Sequence, residues 1–189
     1  MPGKIKVTKE MIIDCAIKIT RCDGADAVNA RRIGKELNCS LQPVYYYFGT
    51  MDSLREEIIK KANIIYNGYI EESKTMEPPR FKNVGMQYLR FATEEKELFK
   101  LLFMRNAKYR SDFTVEVDDN AEYIINEIMS TYGLSAADAK KIHFESWVAT
   151  HGLASMLATE YMDFDKEQIS DYLTDIFGGL ICRIKETNK

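Results

Sequence analysis

An all-α fold of about nine helices is what this sequence predicts, and three observations carry the prediction. Apolar residues recur at three- and four-residue intervals along most of the chain, as at Ile12, Ala16 and Ile19, or at Leu173, Ile176, Phe177 and Leu180. That spacing lines one side of a helix. Residues suited to helix N-caps stand before these runs, at Thr8, Asn29, Ser40, Thr50, Ser135 and Asp165. Strand-type alternation occurs only briefly, at Phe113-Thr-Val-Glu-Val117.

Composition bounds the class. The 189 residues are 46% apolar and 29% charged, which fits a globular protein with a sizeable core. No apolar run reaches the roughly 18 residues of a membrane span. The start, MPGKIKVTKE, lacks the apolar core of a signal peptide. A cytoplasmic protein without membrane contact is expected. Cys15, Cys22, Cys39 and Cys182 show no C-x-x-C spacing and are expected to be buried small hydrophobes, with no metal or cofactor implied. Net charge is −3 but unevenly spread. Residues 1–48 hold eight Lys or Arg against five Asp or Glu, and the remainder holds eighteen against twenty-four. The basic excess is local to the first quarter of the chain, where a phosphate backbone would find it.

The first long helix is capped by Thr8, carries Ile12, Ile13, Ala16, Ile17 and Ile19 inward, and stops at Asp23-Gly24. Asn29 caps a second, short helix with Ile33 and Leu37 on one face. Asn38 tolerates the left-handed conformation of a tight turn. Ser40 is expected to cap a third helix, with Pro43 in its first turn, where a missing N–H costs little. Val44 with Tyr47 or Phe48 faces inward; Leu41, Gln42 and Tyr46 face out. This is a helix-turn-helix, whose second helix enters the major groove.

Ile33-Gly-Lys-Glu-Leu-Asn-Cys-Ser40 followed by Val44-Tyr-Tyr-Tyr-Phe48 resembles the DNA-binding signature of the tetracycline-repressor (TetR) family. The resemblance covers about the first 55 residues. Asn38 stands in place of the usual turn Gly, Gly34 and Leu37 in place of small Ala, and Gly49 and Met51 where relatives often carry lysines. It implies a double-stranded DNA operator as partner. On the recognition helix, Gln42 can pair bidentately with adenine, and Leu41 and Pro43 can touch a thymine methyl. Tyr46 can reach a base or sugar; Tyr45 and Tyr47 can bond to phosphate. Asn29, Arg31, Arg32, Lys35 and Ser40 are expected near the DNA. The arm at residues 1–7, with Lys4 and Lys6, is either a solvated terminus or a further DNA contact.

Thr50 caps a fourth helix through Leu54, Ile58, Ile65 and Tyr69, broken by Pro78-Pro79. Further helices follow over Phe81–Phe91, Leu98–Phe103 and Ala121–Tyr132, the last stopped by Gly133. Ser135 to Asp138 opens a long helix through Ile142, Trp147, Leu153 and Leu157; Asp165 to Gln168 opens the final one. The boundary between parts is placed after residue 50: 1–50 for DNA binding, 51–189 for ligand binding and dimerisation. The two last helices can pack as a hairpin, and two hairpins as a four-helix interface. The resemblance implies a homodimer through them, with Trp147, Leu153, Leu157, Ile176, Phe177 and Leu180 at the interface. Gly178-Gly179 marks a crossing point there, packing within one subunit, or a simple kink.

Trp147-Val-Ala-Thr-His151-Gly152 resembles the W-x-x-x-H-G element of one ligand-domain subgroup of the family. With Phe91, Phe103, Met104 and Tyr123, and the further aromatics and methionines Phe99, Tyr109, Met129 and Met156, it favours a pocket for a small apolar or aromatic effector. Each of these taken singly reads first as a core residue, and only the set favours a pocket.

Enzyme motifs are missing. The two histidines, His143 and His151, complete neither a di-iron pair, since position 140 is Lys, nor a deaminase site, since no P-C-x-x-C follows His143-Phe-Glu145. The sequence therefore predicts a ligand-responsive regulator, a repressor released by its effector. The alternative is a small-molecule-binding helical dimer that has lost specific DNA binding.

Overall fold

A computed structural model describes residues 7–77, 79–104 and 120–187. They form nine α-helices and one 3-10 turn, and the described residues contain no strand. The helices are α1 (Lys9–Asp23), α2 (Ala30–Glu36), α3 (Gln42–Phe48), α4 (Met51–Lys74), α5 (Arg80–Glu94), α6 (Lys96–Phe103), α7 (Ala121–Tyr132), α8 (Ala136–Ala158) and α9 (Lys166–Thr187), with the turn at Ala25–Ala27. The all-α expectation holds. Lys4, Lys6, Pro78, Tyr109 and the stretch Phe113–Val117 lie outside the described residues. No helix among those described is long and apolar enough to cross a membrane.

The capping chemistry explains most boundaries. Thr8 Oγ1 accepts the Met11 N–H at 3.2 Å, and Thr50 Oγ1 the Ser53 N–H at 3.1 Å. Asp165 and Gln168 form a reciprocal box: Gln168 N–H donates to Asp165 Oδ1 at 2.9 Å, and Asp165 N–H to Gln168 Oε1 at 3.0 Å. Each such cap stabilises a helix end by about 0.5–2 kcal/mol. Ser40 departs from expectation. α3 begins at Gln42, and Leu41 precedes it without a side-chain cap. Leu41 already has helical φ and ψ, so the first turn closes through its carbonyl, which accepts the Val44 N–H at 3.2 Å.

The described residues pack as two compact units: the chain up to Tyr66 together with Glu95–Met104, and Asn67–Glu94 together with the chain beyond residue 120. Packing thus divides the chain at Tyr66, inside α4, whereas the sequence reading puts a functional boundary after residue 50. The reason lies on α4, where Leu54, Ile58, Ala62 and Tyr66 form a single buried stripe. In the first unit α1 packs against α2, α3 and α6, burying Ile12, Ala16, Ile19, Ile33, Val44 and Phe99. A two-pronged bond from Arg21 to Glu95 joins α1 to the start of α6. In the second, α5, α7, α8 and α9 enclose Ile124, Ile128, Ile142, Ile181 and Ile184.

The cysteines correct their expectation. Only Cys15 is buried, and burial pushes its thiol up; Cys39 is half-buried, and Cys22 and Cys182 are exposed, all as free thiols. Cys22 and Cys182 sit on the outer sides of α1 and α9, where helical spacing alone does not separate a small polar position from a small apolar one.

Candidate nucleic-acid interface

The α2–α3 turn is built by three local devices. Asn29 Oδ1 accepts the Arg32 N–H at 2.9 Å, and its amide donates to the Ala27 carbonyl at 3.2 Å. Asn38 takes a φ of 48°, as the turn requires. The chain then folds back so closely that the Cys39 N–H reaches the Gly34 carbonyl at 2.9 Å. A Cβ at Gly34 would lie 3.0 Å from the Cys39 carbonyl oxygen and 3.3 Å from Leu41 Cδ2. A very small residue is needed there for the turn to rest on α2.

α3 buries Val44 and Phe48 and presents its other edge to solvent. Leu41 is 39% exposed, Tyr45 49% and Tyr46 79%; Gln42 is exposed too, and Pro43 half-buried. Arg31, Lys35, Ser40 and Leu41 line one open depression beside the start of α3. The other candidates are occupied. Arg32 reaches Asp23 at 2.8 Å and Glu36 at 3.2 Å, and these hydrogen bonds, Glu36 first, push its guanidinium above its ordinary range. Asn29 spends its amide on the cap. The Tyr47 hydroxyl donates to the Val7 carbonyl at 3.3 Å, while its ring packs edge-on against Tyr46 and Phe48.

A second cluster lies in the second unit. His151 Nδ1 and the Tyr88 hydroxyl are 2.8 Å apart, and Trp147 stacks on the imidazole with centroids 5.1 Å apart and planes at 15°. Helical spacing of four produces the stack, since such residues sit one above the other. Tyr88 went unrecognised in the sequence because its spacing marks it as core; a buried phenol, however, needs a polar partner. Phe91 is fully buried, edge-on to Tyr69 at 5.3 Å. Lys74 sits over the Tyr123 ring at 5.0 Å; the Tyr123 hydroxyl is buried with no hydrogen-bond partner among the described residues, and burial pushes its phenol up. Phe103 and Met104 fall in the first unit, where Phe103 packs edge-on against Tyr66 at 5.1 Å and Met104 is exposed.

Of the residues expected at an interface on α8 and α9, Trp147, Ile176, Phe177 and Leu180 are half-buried. Leu153 and Leu157 are buried within the subunit. Phe177 lies 4.0 Å from Phe81 between ring centroids, and Phe177 and Leu180 both pack on the isoleucine core. Leu153 and Leu157 have little surface left to offer a partner. The apolar surface that α8 does offer is Phe144, Val148 and Met156, at 50%, 49% and 38% exposure, and α9 adds Tyr172 at 55%. The spacing 144, 148, 152, 156 was readable in the sequence, but α8 is apolar on two sides, and periodicity does not say which side is covered.

A helix-turn-helix with an outward-facing second helix, carried by an otherwise helical chain, defines a regulator of the nucleic-acid-reading class. Residues 81–177 match the tetracyclin repressor-like C-terminal domain. The chain belongs to the tetracycline-repressor family of transcriptional regulators, which are not enzymes. It is 27% identical over 130 residues to the probable HTH-type transcriptional regulator YttP of Bacillus subtilis (strain 168), covering 66% of this chain and 57% of that protein's length. A protein of unknown function from Rhodococcus sp. RHA1 shares the fold with a TM-score of 0.74 at 17% identity, over 96% of this chain and 97% of that one. A TetR-like transcriptional regulator from the same organism gives 0.63 at 14%, over 94% and 97%.

Proposed function

We propose that this chain is a cytoplasmic repressor that binds a palindromic operator as a homodimer and is released by a small apolar or aromatic effector. The observation that carries the DNA reading is the outer edge of α3. Leu41, Tyr45 and Tyr46 are large, exposed and serve no core, and Gln42 stands among them. Arg31 and Lys35 lie alongside to meet phosphate. Base edges are read by α3, while the flanking cations set register and carry little sequence information.

The exposed stripe Phe144–Val148–Met156 supports a homodimer through α8, and Tyr172 of α9 is exposed as well. Gly152, Gly178 and Gly179 have open space around them within the chain, which suits close approach by a second copy. The Trp147–His151–Tyr88 cluster supports an effector site in the second unit, with two aromatic faces for stacking and polar atoms for orientation. α4 contributes residues to both units. An effector that binds two dimer states unequally by about 1–3 kcal/mol would change operator affinity roughly 5–150-fold.

Selection of duplexes from a random library by the full-length chain tests this reading. A two-fold symmetric sequence is expected, with half-sites about 34–36 Å apart. Failure to enrich any duplex, with aromatic compounds still bound, would establish the alternative of a ligand-binding dimer without DNA recognition. Gln42→Ala is expected to weaken the selected duplex by about 1–3 kcal/mol at one position per half-site and relax preference there. Equal loss on all sequences would remove Gln42 from base reading. Arg31→Ala and Lys35→Ala are each expected to weaken binding on any duplex and lower the slope of log affinity against log salt by about one phosphate's worth. An unchanged slope would take that residue off the DNA backbone.

A further inference from the structure

Tyr123 stands in the first turn of α7 and packs against the isoleucine core of the second unit. Its hydroxyl oxygen is shut off from solvent and has no hydrogen-bond partner among the described residues. Buried polar groups are nearly always paired, because an unpaired one has lost its water without a replacement. A phenylalanine would fill the same volume without that cost. Four charged side chains act on the phenol: Glu127, Arg80, Lys74 and Glu71. None of them takes the hydroxyl. Lys74 pairs with Glu71, and Arg80 with Glu127 at 3.3 Å. Two cations and two carboxylates cancel, so these surroundings give no net attraction to an anion or a cation. Burial first, and Glu127 after it, pushes the phenol up, so it keeps its proton through neutral pH and remains a donor. Lys74 Nζ lies 5.0 Å from the ring centroid. A cation over the ring face polarises the phenol and makes its O–H a better donor. Lys74 is itself part exposed on a flexible stem, so one face of the ring is covered by a movable chain and not by the core.

We propose that the Tyr123 hydroxyl is a binding contact for the oxygen of an uncharged, largely apolar molecule, a ketone, aldehyde, ester or quinone that accepts its hydrogen bond. The partner is an acceptor because the phenol donates. It is uncharged because the ion pairs acting on the site already cancel. Its body is apolar because the core on which Tyr123 packs is built of Ile124, Ile128 and Ile142, with Phe81 and Met129 against them. A molecule of the same shape without the oxygen would leave the phenol unpaired. This contact deepens the effector reading above, and rests on it for any consequence at DNA. Binding itself needs neither DNA nor the Trp147–His151–Tyr88 cluster.

The test compares two probes of nearly equal shape, 2-acetylnaphthalene and 2-ethylnaphthalene, on the full-length chain and on Tyr123→Phe, titrated without DNA. Tyr123→Phe is expected to weaken the ketone about 3- to 10-fold, the size of one lost hydrogen bond, and to leave the hydrocarbon unchanged or tighter. Equal loss for both probes would make Tyr123 a packing residue and overturn the proposal. So would an unchanged ketone affinity, or an unaltered chain that does not bind the ketone. The infrared carbonyl stretch of the bound ketone should lie lower on the unaltered chain than on Tyr123→Phe; equal frequencies mean that no such hydrogen bond is made. Without any probe, Tyr123→Phe should melt at or above the temperature of the unaltered chain. A lower melting temperature would show that the hydroxyl already has a partner, and removes the premise. Ketone binding through Tyr123 with affinity for the enriched duplex unchanged would sink the effector reading and leave the contact standing. Loss of the contact, with other aromatics still releasing the duplex, would do the reverse.

Discussion

Phe91→Ala is expected to destabilise the protein by about 3–5 kcal/mol, the range for removing a fully buried aromatic ring. Phe91 has no exposed surface, and its ring meets Tyr69 edge-on at 5.3 Å. Tyr69 is itself held. Its hydroxyl donates to Glu94 at 2.9 Å, and Arg90 stacks over its face at 5.0 Å. Glu94 is kept below the usual carboxylate range, chiefly by the Arg90 hydrogen bond. With its neighbours braced in this way, the site cannot collapse into the space a ring leaves, and the cavity term stays large. Urea unfolding followed by circular dichroism measures the change. A loss under about 1.5 kcal/mol would mean that the ring borders open space, which is what a pocket-lining role for Phe91 requires.

Val148→Arg carries the second large effect, on assembly and not on the fold of one subunit. Val148 is 49% exposed, flanked one turn away on either side by Phe144 and Gly152. Within a single chain an arginine there keeps its charge in water and disturbs nothing. In a two-fold interface the same substitution places uncompensated cations on both copies of a covered apolar stripe, a penalty of about 3–5 kcal/mol. The dimer dissociation constant is expected to rise roughly 150- to 5,000-fold, seen by sedimentation as a monomer at concentrations where the unaltered chain is expected to be a dimer. The melting temperature should lose its dependence on protein concentration. A Val148→Arg chain that still sediments as a dimer would move the interface off this stripe.

Several features could be read from residue order because they are local. A cap, a left-handed Asn and a proline in a first turn involve atoms within four residues of each other. The boundaries of α1, α2, α4, α8 and α9 follow from such contacts, and so does the outward edge of α3. Other features depended on more than the local pattern. Ser40 looks like a cap, yet Leu41 enters the helical conformation first. Arg32 looks like a phosphate ligand, but Asp23, nine residues away on another element, competes for it at 2.8 Å. Leu153 and Leu157 have the spacing of an interface, and so do Phe144 and Val148; only knowing which side α5, α7 and α9 cover separates them. The Tyr88 partner of His151 is sixty-three residues distant and leaves no trace in local pattern.

By itself, then, the order of residues determined the helical class, the helix-turn-helix and the family signature on it, since hydrophobic period and capping act over single turns. Tertiary structure decided which polar groups are already engaged, at Arg32 and Tyr47, and which apolar stripe of α8 stays uncovered. Those outcomes depend on partners brought together from distant parts of the chain. A side chain's hydrogen bonds and its exposed area are properties of what surrounds it in space, not of its neighbours in sequence.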